Sequence, residues 1–519
     1  MPLPREHYIP IPKARLHAAL LGPAPDAEQA AVFRLAEALL AVRWQPTLEE
    51  LKADYELFSP ETGAAARVGL DEAELLARQR RFLGNFLLAM RRANFLPFEA
   101  EEQRLAFDSR YLFDVPAEVD WSVLDPEPAA DLAAHLASEA GRPLAARLEL
   151  GPAGLQGWLR PSPELGQNAL VFHRGMGPDR AEGRYLMERL DLLAERLLRL
   201  LTFPVLVPLQ WLIELVRGES HPAPPPRARA FPEPRRWVRR VNVRNLPLFT
   251  APRWIRLQEP AFRHLVTVFR LEPPPGSRLL SADRLLRARS SGEFALRADA
   301  APAQARDWTL WLQLFRQIPL ADSEIVFPEM FLKLRSFDLA LLIVTAVAAI
   351  PTLVQTWVNP RRAVYAVGVA LGLTVWRLIA RTLEVRRAYR ARVTRDLYSK
   401  HLDTSVGVLH FLIDGLEEQE LEEALLVWTL LLRAEAPLSA AELDERVERW
   451  LEREHAADVD LEVEDALRKV VAPGPLPIVE ELPGEPPRYR ALPPAAARAA
   501  LEERWRAWPG ELGAGAGPA

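Results

Sequence analysis

Four polar residues in the middle of the chain are of the types that carry out acid–base chemistry and anion binding. They are His173 and Arg174 in "ALVFHRG", Glu259 in "LQEPAF" and Asp322 just after "FRQIPL". If the fold brings them together, an imidazole, a guanidinium and carboxylates could bind an acidic ligand and move a proton. The same residue types also form turns and salt bridges at the ends of a sheet, and we favour that structural interpretation. A cleft in which His173, Arg174 and Glu259 converge would instead indicate an active site.

No sequence motif indicates a bound metal or cofactor. The chain has no cysteine, and none of its nine histidines has the spacing of metal ligands. There is no phosphate-binding P-loop, no glycine-rich dinucleotide fingerprint and no nucleophile elbow. We therefore predict no metal site, no cofactor and no assigned catalytic residue. A non-enzymatic scaffold or regulatory protein is favoured, and a membrane-associated enzyme acting on a lipid-linked or phosphorylated substrate is the alternative.

A basic run with interleaved aromatic residues extends from Arg227 to Arg270. It contains eleven arginines against Glu233 and Glu259. Such a composition is compatible with a solvated surface, with anionic lipid headgroups or with nucleic acid. We rank the solvated surface first, lipid headgroups second and nucleic acid last.

A stretch around residue 350 has the length and composition of membrane-spanning segments. Leu339 to Val358 is a run of twenty residues without a charge, which as a helix would be about 30 Å long, the thickness of a bilayer core. The turn Asn359-Pro360-Arg361-Arg362 separates it from fourteen more uncharged residues, Ala363 to Trp376. We predict a two-helix transmembrane hairpin over residues 335–381, with a buried helical hairpin as the alternative.

The arginines on both flanks of the predicted hairpin indicate its orientation. Lys333 and Arg335 precede it, and a series of arginines from Arg377 to Arg395 follows it. Because cytoplasmic flanks are rich in basic residues, we predict a multi-pass protein of the inner (cytoplasmic) membrane with both of its other modules on the cytoplasmic side. The run at residues 200–213 is shorter and contains two prolines. We interpret it as a core or interfacial segment, and a third span stays open.

Hydrophobic periodicity predicts the organisation of the rest of the chain. Helical spacing dominates near the N-terminus, and "ARLEL", "ALVFHRG", "HLVTVFRL" and "WTLWLQLFRQI" have the composition of strands, with a helix near residues 181–202 between them. The predicted fold class is an α+β membrane protein. Its predicted parts are a helical N-terminal region (1–135), an α+β domain (136–330), the transmembrane hairpin (335–381), a basic stalk helix (382–416), a winged-helix-like domain (417–510) and a disordered tail (511–519).

The predicted winged-helix-like domain is unusually acidic. Residues 417–455 contain twelve acidic residues and four arginines, a balance that would repel the phosphates of DNA. We therefore predict a protein partner or a packing role, and nucleic acid is disfavoured. Self-association is also expected, because Gly368 and Gly372 form a small-residue pair in the second predicted span.

Several motifs, in consistent order, resemble one family. They are "REHYIPIPKARL", "NFLPF", "VFHRGMGPDRAEGRYLMERLD", "LQEPAFRHLVTVFR", "FRQIPLADSEIVFPEMFLKLRSFD" and "WLEREHAADVDLEVEDALRKV". Together they resemble the uncharacterised membrane proteins related to transmembrane protein 143. The resemblance implies a membrane protein with two spans in the matching place. It implies no catalytic residue.

Overall fold

The chain is described here by a computed structural model. It describes residues 5–98, 117–119, 123–148, 158–159, 169–183, 255–271, 307–320, 326–327, 330–332 and 400–513.

Four helices form most of the described N-terminal region: α1 (Lys13–Leu21), α2 (Ala27–Glu56), α3 (Gly63–Ala66) and α4 (Glu72–Arg92). The two long ones begin at aspartate caps, since Asp26 accepts a hydrogen bond from the Gln29 amide and Asp71 accepts one from the Glu74 amide. Their apolar residues recur at helical spacing, and the helices predicted there are confirmed.

An antiparallel sheet of five strands occupies the middle of the fold. In the order β1-β3-β4-β5-β7 it consists of β1 (Leu96–Pro97), β3 (Ala169–Gly183), β4 (Ile255–Phe269), β5 (Trp311–Pro319) and β7 (His401–Thr404). The short strands β2 (Ala117–Val119) and β6 (Met330–Leu332) pair separately. The strands predicted from "ALVFHRG", "HLVTVFRL" and "WTLWLQLFRQI" are confirmed as parts of β3, β4 and β5.

Two segments differ in secondary structure from what the sequence predicted. "ARLEL" begins inside helix α6 (Arg142–Arg147), which starts with a proline in its first turn and follows α5 (Glu127–Ala137). The helix predicted near residues 181–202 begins on residues that extend β3 up to Gly183, and the rest of it lies outside the described residues.

The C-terminal part has the connectivity of a winged helix. Its helices are α7 (Val406–Leu432), α8 (Ala440–His455), α9 (Val463–Val470) and α10 (Pro494–Gly513). A small sheet in the order β8-β10-β9 joins β8 (Leu438–Ser439) to the hairpin of β9 (Val479–Leu482) and β10 (Arg488–Ala491). Helix α8 begins at a capping box in which Ser439 and Glu442 bond each other's backbone amides.

Helix α7 runs through two hydrophobic cores and connects them. Its first half, with Leu409 and Leu412, packs under the five-stranded sheet against α4. Its second half, with Leu425 and Trp428, packs against α1, the start of α2 and the helices of the winged-helix-like part. The cores therefore draw residues from several of the predicted domains, whose boundaries stay predictions.

The predicted fold class, an α+β membrane protein, is wrong as far as the structure describes the chain. The fold is a mixed helix and sheet structure, and among the described residues no helix is both long enough and apolar enough to cross a membrane. The longest apolar helix, α7, carries six acidic residues between Asp414 and Glu423, which a bilayer core does not accommodate.

The sequence segments behind several membrane predictions fall outside the described residues. These are the hairpin (335–381), the run at 200–213 and the first part of the stalk helix (382–399). At residues 401–404 the predicted stalk helix is instead strand β7, because this segment pairs with β5. The localisation at the inner membrane, with the lipid bilayer as a partner, stays a prediction.

Candidate functional site

His173 and Arg174 are neighbours on β3 and lie on opposite faces of the sheet: Arg174 faces α7, whereas the ring of His173 stacks on Phe262 with the ring centres 4.6 Å apart. Both are buried, with 4% and 7% of their surface exposed. The guanidinium carbon of Arg174 lies 5.3, 5.0 and 5.7 Å from the ring centres of Tyr8, Phe95 and Phe411. These are distances at which a cation is attracted to an aromatic face.

The two glycines beside Arg174 make this packing feasible. A Cβ at Gly415 of α7 would lie 2.9 Å from Arg174 Nη1, so any other residue there would require the guanidinium to shift. Gly175 has a φ of +73°, and a Cβ there would lie 2.5 Å from the Tyr8 hydroxyl. Both residues therefore serve close packing.

We expect Gly175→Ala to destabilise the fold while Gly177→Ala on the same strand does not. Alanine at position 175 would be held at a positive φ and would collide with Tyr8, at a cost of at least about 1 kcal/mol. A Cβ at Gly177 meets only Arg263 Nε, at an ordinary 3.7 Å. The free energy of unfolding in urea measures both variants, and equal losses would contradict this account of Gly175.

Two titratable groups near Arg174 have pKa values shifted towards their neutral forms. Burial, together with the neighbouring Glu418 and Glu423, raises the pKa of Glu422 to about 9. Burial, with the charge of Arg174, lowers the pKa of His264 to about 3. Burial also lowers the pKa of Arg174 itself. The junction therefore holds a guanidinium beside a protonated carboxyl and a neutral imidazole.

The four predicted residues do not converge on a cleft. The Cα of Glu259 pairs with Asp179, six residues beyond His173 on β3, which is about 20 Å along an extended strand. Asp322 lies outside the described residues. Neither of the two best-defined cavities in the described part of the chain is lined by His173, Arg174 or Glu259.

Of the basic run Arg227 to Arg270, the structure describes only residues 255–270. Arg270 is fully buried, with its guanidinium 2.7 Å from Asp125 and 3.1 Å from Glu127. Arg263 lies beside Glu6, at 3.7 Å, and its side chain is 38% exposed. Arg270 is thus a structural residue that no lipid headgroup or nucleic acid can reach, and the arginines from 227 to 253 lie outside the described residues.

An N-terminal strap, residues 5–13, ties the sheet to the winged-helix-like part. Arg5 Nη2 lies 2.7 Å from Glu448 on α8, and its Nε lies 3.1 Å from Asp458. The Glu6 backbone pairs with residues 458–460, and the Ile9 amide donates to the Gln419 side chain on α7 at 2.9 Å. Through the strap and the shared helix α7, the two parts are held as one body.

An open groove of about 630 Å³ lies where α8 meets the end of α7. Its floor contains the buried side chains of Leu430 and Trp450, together with the half-buried Leu438. Its rim contains the arginines 433, 446, 449 and 453 and the glutamates 442, 445 and 454. A groove with an apolar floor and a charged rim has the layout of a binding site for part of another molecule.

The three glutamates of the rim already have partners, whereas two of the arginines bond, among the residues that the structure describes, only to carbonyl groups. Glu445 pairs with Arg449 at 3.3 Å, Glu454 pairs with Arg453 at 3.1 Å, and Glu442 accepts hydrogen bonds from Ser439 in the capping box. Arg433 donates to the Leu20 carbonyl, and Arg446 donates to the Arg433 carbonyl.

The groove contains all four arginines of the acidic stretch 417–455. The sequence had offered a signal for it, since Arg446, Arg449, Trp450 and Arg453 follow the spacing of one helix face. The contribution of Leu430, Arg433 and Ala19 could not be seen, because only the fold brings these residues to α8.

Comparison with known proteins adds a match to one family. Residues 262–407, less than a third of the chain, match the family described as "Protein of unknown function (DUF3754)". The match extends from β4 to the start of α7 and does not include the groove. No curated protein and no solved structure matches the chain. The resemblance to proteins related to transmembrane protein 143 stays a prediction.

Proposed function

We propose that this chain is a non-enzymatic scaffold or regulatory protein whose winged-helix-like part binds a protein partner in the groove between α7 and α8. The observation that carries the proposal is the groove itself: a cavity of about 630 Å³ with Trp450 in its floor and two arginines that have no carboxylate partner in the described part of the chain. Tryptophan and arginine are the residues most often responsible for binding energy in protein interfaces.

The charges on the surface that winged helices present to DNA favour a protein partner over nucleic acid. On α9 the exposed charges are Glu464 and Arg468, and Arg468 pairs with Asp465 at 2.8 Å. The hairpin β9–β10 exposes Glu480 and Glu481 together with Arg488 and Arg490, and Arg490 pairs with Glu480 at 2.8 Å. Because carboxylates lie beside the exposed arginines of this surface and would repel phosphate, a DNA-binding role is disfavoured.

Rigid attachment of the groove to the rest of the fold supports a scaffold role. The strap and α7 both contact α8 and the five-stranded sheet, so a partner in the groove would be fixed relative to that sheet. A preformed site on rigid elements loses little entropy when a partner binds.

A photo-crosslinking residue placed at Glu445, on the rim of the groove, tests the proposal in the full chain. We expect a discrete protein adduct in cells that is lost when Arg446→Glu is added. The matched control carries the crosslinker at Glu49, an exposed position of α2 that does not line the groove. An identical adduct from both positions, or none from Glu445, would overturn the proposal.

A further inference from the structure

The groove is complementary to a negatively charged ligand with an apolar anchor. We propose that its occupant is an acidic segment of a partner protein, whose carboxylates bind Arg433 and Arg446 and whose apolar side chain lies on Trp450. This inference rests on the proposed function and adds the chemical class of the partner.

The negative charge of the proposed partner follows from the N–H donors of the groove arginines that are not used in ion pairs among the described residues. A guanidinium has five N–H donors and binds a carboxylate through two of them at once. Arg433 and Arg446 each direct a donor to a backbone carbonyl, and neither forms an ion pair among the described residues. An acidic side chain entering the groove would therefore pair with cations that none of the described carboxylates neutralises.

The apolar anchor follows from the floor of the groove. Leu430 and Trp450 are 3% and 6% exposed, and they belong to the hydrophobic core that α7 and α8 share. This rigid apolar floor at the bottom of a polar rim can bury a leucine or aromatic side chain. Burial of such a side chain excludes water, and that strengthens the neighbouring ion pairs.

The charge pattern of the rim also favours a protein segment over a polyphosphate as the ligand. Glu442, Glu445 and Glu454 alternate with the arginines around the groove, so a continuous phosphate backbone would meet a carboxylate at nearly every arginine. A peptide can place its few carboxylates at Arg433 and Arg446 and present neutral groups elsewhere. The observations therefore favour an acidic peptide over nucleic acid.

Peptide binding to the full-length chain tests this inference. The probe is a short fluorescein-labelled peptide of glutamates with a leucine at every fourth position, and its binding is followed by fluorescence anisotropy. We expect Arg446→Glu to weaken binding by about tenfold or more. The matched control, Arg490→Glu, makes the same charge change on the exposed hairpin outside the groove and should bind as the wild type does.

Three further probes decide the chemical class of the ligand. A peptide with lysine in place of glutamate and one with serine in place of leucine should both bind more weakly than the acidic probe. Equal binding of the lysine peptide, or tighter binding of single-stranded DNA that depends on Arg446, would overturn the inference. Arg446→Gln serves as a milder variant, and unchanged urea unfolding of all variants shows that the fold is kept.

Failure of this inference can be told apart from failure of the proposed function. If the acidic peptide does not bind but the crosslinker at Glu445 still captures a protein in a manner that depends on the groove, only the acidic character of the partner is overturned. If neither result is obtained, the groove is not a partner site, and both proposals fall.

Discussion

The Glu422→Gln variant is expected to be more stable than the wild type at pH 9 and to have nearly the same stability at pH 5. Glu422 lies in the middle of α7, fully buried, and its Oε2 accepts a hydrogen bond from Gln419 Nε2 at 3.1 Å. Its Oε1 is buried without a hydrogen-bond partner in the structure. A carboxyl in this position folds most easily when it carries a proton.

The direction of the pH effect follows from proton binding in the two states. In the unfolded chain Glu422 releases its proton near the ordinary pKa of a glutamate, whereas burial raises the folded-state pKa to about 9. Between these values the folded state binds more protons, so the free energy of unfolding falls as the pH rises. The full shift corresponds to at most about 6 kcal/mol, and relaxation of the site should leave a few kcal/mol.

Urea unfolding at intervals from pH 5 to pH 9 measures this difference. Glutamine cannot ionise, so the curve of the variant should be flatter than that of the wild type and the two should diverge as the pH rises. Glu49→Gln removes an exposed carboxylate of α2 and controls for the change in net charge. Parallel curves for Glu422→Gln and the wild type would show that Glu422 is ionised in the fold.

A second glutamate of α7 should also make the free energy of unfolding fall as the pH rises, by a smaller amount. Burial, together with the nearby Asp414, raises the pKa of Glu417 to about 7. This side chain is partly exposed to water, so screening reduces its contribution. The helix that joins the two cores is thus expected to be more tightly held in mildly acidic than in alkaline solution.

Local sequence patterns predicted the position of most of the helices and strands. Phe82, Phe86 and Met90 recur at helical spacing, and all three are buried in α4. β4 contains a short apolar run in which Val266 and Val268 lie in one core and Leu265 and Phe269 lie in the other. A helix with one buried face has a helical periodicity, and a strand buried on both faces has a continuous apolar run, so both patterns can be recognised without knowledge of the partner element.

The burial of charge in α7 could not be predicted in the same way. The run "LEEQELEE" has the composition of a solvated helix face, since glutamates are rarely fully buried. In the fold, Glu420 accepts a hydrogen bond from Trp44 and Gln419 bonds the backbone of Ile9. These partners are hundreds of residues away in sequence, so no local pattern could reveal them.

The groove could not be predicted from the sequence for a related reason. The sequence directed attention to His173 and Arg174, because a histidine and an arginine at a strand end can do chemistry, and in the fold the aromatic rings of Tyr8, Phe95 and Phe411 surround the guanidinium of Arg174. The groove instead depends on residues from α1, α7, β8 and α8. Its existence is a property of tertiary packing, although the helix spacing of its arginines was visible.

Replacement of Lys469 by methionine is expected to destabilise the winged-helix-like part severely. Lys469 Nζ on α9 lies 2.6 Å from Glu423 on α7 and 2.7 Å from Asp465, and both Lys469 and Glu423 are buried. Burial alone would lower the pKa of Lys469, but attraction by Glu423, Glu420 and Asp465 raises it, so the lysine stays charged. Without it, Glu423 keeps only the hydrogen bond from Asn94, at 3.0 Å.

We expect Lys469→Met to lower the free energy of unfolding by about 3–5 kcal/mol, the usual cost of leaving a buried charge without its partner. The double variant Lys469→Met, Glu423→Gln should be more stable than Lys469→Met alone, because a neutral amide keeps the bond to Asn94 and leaves no buried charge. Urea unfolding of both single variants and the double variant completes a thermodynamic cycle. Strict additivity would show that the two side chains do not interact, and α9 would then be held to α7 by apolar packing alone.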